Sequence, residues 1–104
     1  MPDRTTRWLH DLDSTLITAA ELVARGRNAY DSDFAIPLAC EAICTRVGDL
    51  AKNLVDADPD RLSEPIWSLA ARNRDFVVHH YSRIDRDLLW NTMANDLPRL
   101  RAAL

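Results

Sequence analysis

One run of apolar residues, between Phe34 and Val55, constrains the fold more than any other feature of the chain. Ile36, Ala39 or Cys40, Ile43, Val47, Leu50 or Ala51, and Leu54 recur every three or four positions. That spacing lines them along one face of an α-helix and does not fit the period-two alternation of a strand. Ser32 or Asp33 can cap this helix and Pro37 suits its first turn. Gly48 interrupts the stripe and would let another helix approach closely.

The same period appears on both sides. From about Thr6 to Arg25, Leu9, Leu12, Leu16, Ala19 or Ala20, and Val23 make a second stripe, with Gly26 as a natural stop. Arg27 to Asp33 reads as a polar loop. Asp56-Ala57-Asp58-Pro59-Asp60 reads as an acidic linker. A third helix is expected from near Ser63, with Pro65 in its first turn, to about Tyr81. A fourth should run from Asp85 or Arg86 to Leu104, with Leu89, Met93, Leu97, Leu100 and Leu104 as its stripe and a bend at Pro98. Gly is rare, with only Gly26 and Gly48. Four helices with short connections predict an all-α fold, an antiparallel helical bundle, and a length of 104 residues is that of one domain, 1–104.

The composition excludes several classes. Apolar residues make up 47% of the chain, the value of a globular protein and not of a disordered one. No apolar run is long enough to span a membrane and the first residues lead into no signal-peptide core, so the expected location is cytoplasmic. Cys40 and Cys44 lie one helical turn apart. No matching His/Cys pair completes a zinc site, and the spacing suits a disulfide poorly, so both read as small apolar residues of a core or interface. A net charge of −3 argues against a protein that coats nucleic acid without specificity. The basic side chains are nevertheless almost all arginine, with Lys52 the only lysine, and Arg72, Arg74, Arg83 and Arg86 crowd one region. Arginine forks suit phosphate better than lysine does.

That region holds the one set of residues with chemistry of its own. Arg72-Asn73-Arg74-Asp75-Phe76-Val77-Val78-His79-His80-Tyr81 brings Arg, His and Tyr together in the spacing Arg-x4-His-x-Tyr. The set suits cleavage of an RNA phosphodiester without a metal or cofactor. A neutral histidine can take the proton of a ribose 2′-hydroxyl, and an arginine can stabilise the charge that builds on phosphate. Asp75 can orient Arg74, and Tyr81 offers a hydroxyl and a flat face for a base. Arg74 and His79 are five positions apart, about 140° around an ideal helix, so they do not share one strict face. A wide cleft, an unwound helix end or a second subunit would be needed to bring them to one phosphate.

Arg74-Asp75-Phe76-Val77-Val78-His79-His80-Tyr81 matches in full the motif of a known family. The chain resembles the HepT-like branch of the HEPN superfamily, ribonuclease toxins encoded beside MNT-type minimal nucleotidyltransferase antitoxins. Ile66-Trp67-Ser68-Leu69-Ala70 before the motif agrees, as do Ile84-Asp85, Leu89-Trp90 and Asn95-Asp96-Leu97-Pro98 after it. Val47-Gly48-Asp49-Leu50-Ala51-Lys52 looks like the family's Gly-Glu-Ala stretch, with Asp49 in place of Glu. The resemblance implies a HEPN-like bundle that forms a homodimer, with the motif helices of two chains meeting across a cleft to make one composite site. It implies Arg74 and His79 as the catalytic pair, with Asp75 at the polar position beside the arginine. It implies Tyr81 as the residue that the nucleotidyltransferase antitoxin modifies with AMP. His80, Arg72 and Arg83 are candidates for RNA contact, with Arg86 a further arginine of the same crowd. The alternative function is a non-catalytic subunit that docks a minimal nucleotidyltransferase and presents a substrate or nucleotide to it.

Overall fold

A computed structural model describes residues 3–70 and 85–104, and the chain folds as an all-helical bundle. Helix α1 spans Arg4–Ala24. Asp3 caps it, because its carboxylate accepts the otherwise unpaired amide of Thr6 at 2.8 Å. Its buried residues are Leu12, Thr15, Leu16 and Ala19; Leu12, Leu16 and Ala19 belong to the expected stripe, Leu9 and Val23 are only partly buried beside them, and Thr15 is an addition.

The chain then turns at Gly26, whose φ of 93° and ψ of 161° are open to glycine and hostile to any residue with a Cβ. The segment expected as a polar loop is instead a short helix, α2, over Arg27–Ser32. Six residues are too few to hold a helix on propensity. Tertiary contacts hold it: Tyr30 is wholly buried, and Arg27 reaches across to a distant helix. Helix α3 follows at Ala35–Ala57. Asp33 does the capping expected of it, with Oδ1 accepting the Ala35 amide at 3.0 Å. Ser32 turns back to the Asn28 carbonyl instead. The helix runs two residues past Val55, so Asp56 and Ala57 belong to it and not to a linker.

Residues 65–70 are helical (α4), and Trp67 anchors them, 2% exposed. The last helical stretch is α5, Arg86–Asn91, then a π-helical turn, Thr92–Asp96, then α6, Leu97–Ala102. The break expected at Pro98 therefore falls one turn earlier. A proline has no amide to donate and its ring collides with the carbonyl four residues back. The wider turn carries that carbonyl out of the way, with the Leu97 amide bonded to the Thr92 carbonyl.

The packing is antiparallel where it can be traced. Arg46 on α3 donates to Thr15 on α1 at 3.1 Å, and Arg61, beyond the end of α3, acts electrostatically on Asp3 at the start of α1. Arg101 on α6 pairs with Asp13 on α1 at 3.2 Å, while Ala20 and Met93 line one crevice further along. The core between these helices comprises Leu12, Leu16, Tyr30, Cys40, Cys44, Val47, Leu54, Met93 and Leu100, all 3% exposed or less. The two cysteines are free and buried, as their spacing led one to expect. No helix among the described residues is long and apolar enough to cross a membrane.

Candidate functional site

The residues expected from the sequence to carry chemistry or contact RNA are Arg72, Arg74, Asp75, His79, His80, Tyr81 and Arg83. All seven lie outside the described residues. The structure does describe both flanks, Ala70 on one side and Asp85 on the other, and what those flanks rest on.

Asp85 begins α5 as its cap. Its Oδ1 accepts the amides of Asp87 at 2.7 Å and Leu88 at 3.2 Å, as an aspartate does before a helix's first turn. The next residue, Arg86, is exposed, and its carbonyl accepts the hydroxyl of buried Tyr30 at 2.7 Å. Arg27, one turn before Tyr30 on α2, donates Nε to Asp31 at 2.9 Å and Nη2 to Asp87 at 2.5 Å. Its guanidinium lies 5.3 Å from the Tyr30 ring centre and 5.8 Å from that of Trp90. The two rings are 5.0 Å apart and tilted by 59°, an arrangement that aromatic quadrupoles favour. Burial pushes the Tyr30 hydroxyl up to about 12, with nearby Cys40 adding to the rise and Arg27 and Arg86 opposing it. The group stays protonated, a donor, across the physiological range.

On α3, half-buried Glu41 faces the same end. Its Oε2 is inaccessible and has no hydrogen-bond partner among the described residues. Burial holds its carboxyl above the usual range, with the positive charge of Arg86 acting the other way. Asp49, which the sequence comparison sets where the resembled family has a glutamate, is exposed on the same helix. Against the other flank, Ile66, Leu69 and Ala70 of α4 face Thr92, Leu97 and Leu100 across an apolar cleft of about 560 Å³. Leu69 is left more than half exposed there.

Neither of the other reactive groups competes for a catalytic role. Burial pushes the Cys40 thiol up to about 11 and the Cys44 thiol to about 12, and Cys44 packs 3.9 Å from the Met93 sulfur. Thiols so raised are poor nucleophiles at neutral pH. No group of three or more His, Cys, Asp or Glu among the described residues is placed to hold a metal. The Arg27–Tyr30–Asp87–Trp90 cluster is the feature that sequence reading missed. Arg27, Tyr30 and Asp31 do stand at helical i, i+3 and i, i+4 spacing, but three residues in one short turn are too few to mark a helix, and Asp87 and Trp90 lie about 60 positions away.

Comparison with known proteins bears on residues 71–84 as well as on their flanks. A protein of Methanocaldococcus jannaschii, named as a candidate RNase, is 31% identical over 52 residues, which are 50% of this chain and 43% of that protein. A protein of Thermococcus cleftensis, named as a probable ribonuclease HepT, is 37% identical over 71 residues, 67% of this chain and 60% of that one. The chain thus spans about half the length of the curated relatives it matches. No solved structure matches. The model of the family described as ribonuclease HepT-like matches residues 13–104, which includes all of Arg74–Tyr81, and the chain belongs to that family.

Proposed function

We propose that the chain is an endoribonuclease, the toxin of a toxin–antitoxin module, and that it cuts RNA without a metal. The observation that carries this reading is the family match over 13–104, within which the sequence holds Arg-x4-His-x-Tyr intact at Arg74, His79 and Tyr81. The names of the two relatives support the same substrate.

In this reading His79 removes the proton from a ribose 2′-hydroxyl. The 2′-oxygen attacks the adjacent phosphorus, the bond to the 5′-oxygen breaks, and that oxygen takes a proton from solvent water as it leaves. The products are a 2′,3′-cyclic phosphate and a 5′-hydroxyl end. The Arg74 fork stabilises the extra negative charge on phosphorus in the transition state, and Asp75 orients the fork. The roughly 140° between Arg74 and His79 on a helix favours a homodimer in which two chains complete one cleft. Arg72, Arg83 and His80 would contact RNA around it. A nucleotidyltransferase antitoxin would silence the enzyme by moving AMP from ATP to the Tyr81 hydroxyl, releasing pyrophosphate.

The test is expression alone, followed by assay of purified chain on RNA with excess EDTA. Growth arrest, cyclic-phosphate ends and loss of both in His79→Ala and Arg74→Ala are the expected results. A chain shown by mass spectrometry to be free of AMP on Tyr81, and which neither slows growth nor cuts RNA, would sink the reading.

A further inference from the structure

Tyr30 is buried to the last atom in a helix of six residues, and its hydroxyl is spent on one backbone carbonyl 56 residues away. That carbonyl, of Arg86, opens α5. In an α-helix it already faces the amide four residues on, so the tyrosine is not needed to satisfy it. What the bond does is fix the place of α5's first turn against α2. The same turn is tied twice more: by Arg27 to Asp87, with Asp31 steering the guanidinium, and by the stack of Arg27, Tyr30 and Trp90. Three tethers thus meet at residues 86–90, immediately after the chain segment that carries Arg74, His79 and Tyr81. Tyr81 is only four positions before Asp85.

We propose that Tyr30 is a positioning residue for RNA cleavage: by holding the Arg86 carbonyl it fixes where the segment bearing Arg74, His79 and Tyr81 joins α5. The proposal rests on the ribonuclease reading. Its chemistry is that of geometry, since a small misplacement of a general base from its proton costs far more rate than it costs stability. Arg27 serves the tyrosine by covering its ring and clasping Asp87.

Tyr30→Phe keeps the ring, its contact with Trp90 and the Arg27 stack, and deletes only the hydroxyl. Purified Tyr30→Phe and wild type are compared on a quenched-fluorophore RNA oligonucleotide of mixed sequence, and by hydrogen exchange of the amides of residues 85–90. The expected result is kcat lower by about tenfold with KM unchanged, an effect of the size of one hydrogen bond, and exchange at 85–90 faster while α1 and α3 keep their protection. Val55→Ala, which truncates a partly buried side chain packed against the core at the far end of α3, should lower Tm and leave kcat alone, so that a fall in kcat in Tyr30→Phe is not explained by lost stability. Wild-type kcat in Tyr30→Phe, or unchanged exchange at 85–90, overturns the proposal. A wild type that cuts no RNA overturns the ribonuclease reading, and the exchange result still decides whether Tyr30 holds the start of α5.

Discussion

Replacing Gly26 by alanine should destabilise the bundle although the new methyl group touches nothing. A Cβ built at Gly26 finds no atom within 4 Å, so neither a clash nor a packing gain enters. The backbone conformation decides the outcome. At φ 93° and ψ 161° the residue lies in a region essentially reserved for glycine, where other residues pay about 1–3 kcal/mol. The reduced freedom of the unfolded alanine chain returns about 0.4–1 kcal/mol. The residue cannot relax cheaply, because its amide donates to Val23 at 2.9 Å and its carbonyl accepts from Tyr30 at 3.2 Å. A net loss of about 1–2 kcal/mol follows, or roughly 5–10 °C in Tm for a chain of this size. Circular dichroism melts of both proteins measure it, with urea titration as a check. Gly26→Asn adds a sharper arm. Asparagine tolerates the left-handed helical region, but the ψ found here lies far outside that region, so it should fare no better than alanine. An unchanged Tm in the alanine variant, or full tolerance of asparagine, would refute the reasoning.

Other outcomes follow from the core and its titratable groups. Leu54→Ala removes a side chain with no exposure and should cost about 2–5 kcal/mol, read as a lower urea midpoint at unchanged slope. Cys40 and Cys44 should resist an aromatic disulfide reagent at pH 8 in the folded protein and react promptly in guanidinium. The thiols, raised from 9.0 to about 11 and about 12, and Tyr30, raised from 10.0 to about 12, are all held in their protonated forms by the fold. Their contribution is complete below pH 9 and is lost as pH climbs towards 12. Urea midpoints should therefore fall across that window, and rising stability there would contradict the burial described. Tyr81→Phe should leave a toxic chain that a nucleotidyltransferase antitoxin can no longer silence, scored by growth on co-expression.

The long helices were legible because each buries a long stripe. Leu12, Leu16 and Ala19, or Val47, Leu50 and Leu54, leave a periodic mark that a dozen residues make hard to mistake. Helix α2 left none. It has one buried side chain, Tyr30, and is held by partners 56 and 60 positions away, which no local pattern encodes. Pro98 announced an irregularity correctly, but its place depended on how the preceding turn could move its carbonyl aside. The candidate residues Arg74, His79 and Tyr81 stand out in the sequence for a different reason. They are polar, closely spaced and chemically complementary, whereas Arg27 looks like any surface arginine until the rings of Tyr30 and Trp90 are brought beneath it.

The π turn at Thr92–Asp96 also has a bearing on which lengths of chain this fold can use. A π turn holds one more residue than the α turn it replaces, so the helix behaves as though it carries a single-residue insertion that was absorbed on the spot. Elsewhere in the bundle, losing one residue would swing every later side chain by about 100° and take the inward face out of the core. Here the loss of Ala94 would close the turn and leave Leu97 and Leu100 facing inward. Pro98 would then sit in an unbroken helix against a carbonyl with no room to move. Shortening and proline are therefore coupled: a relative one residue shorter at this place should also lack the proline.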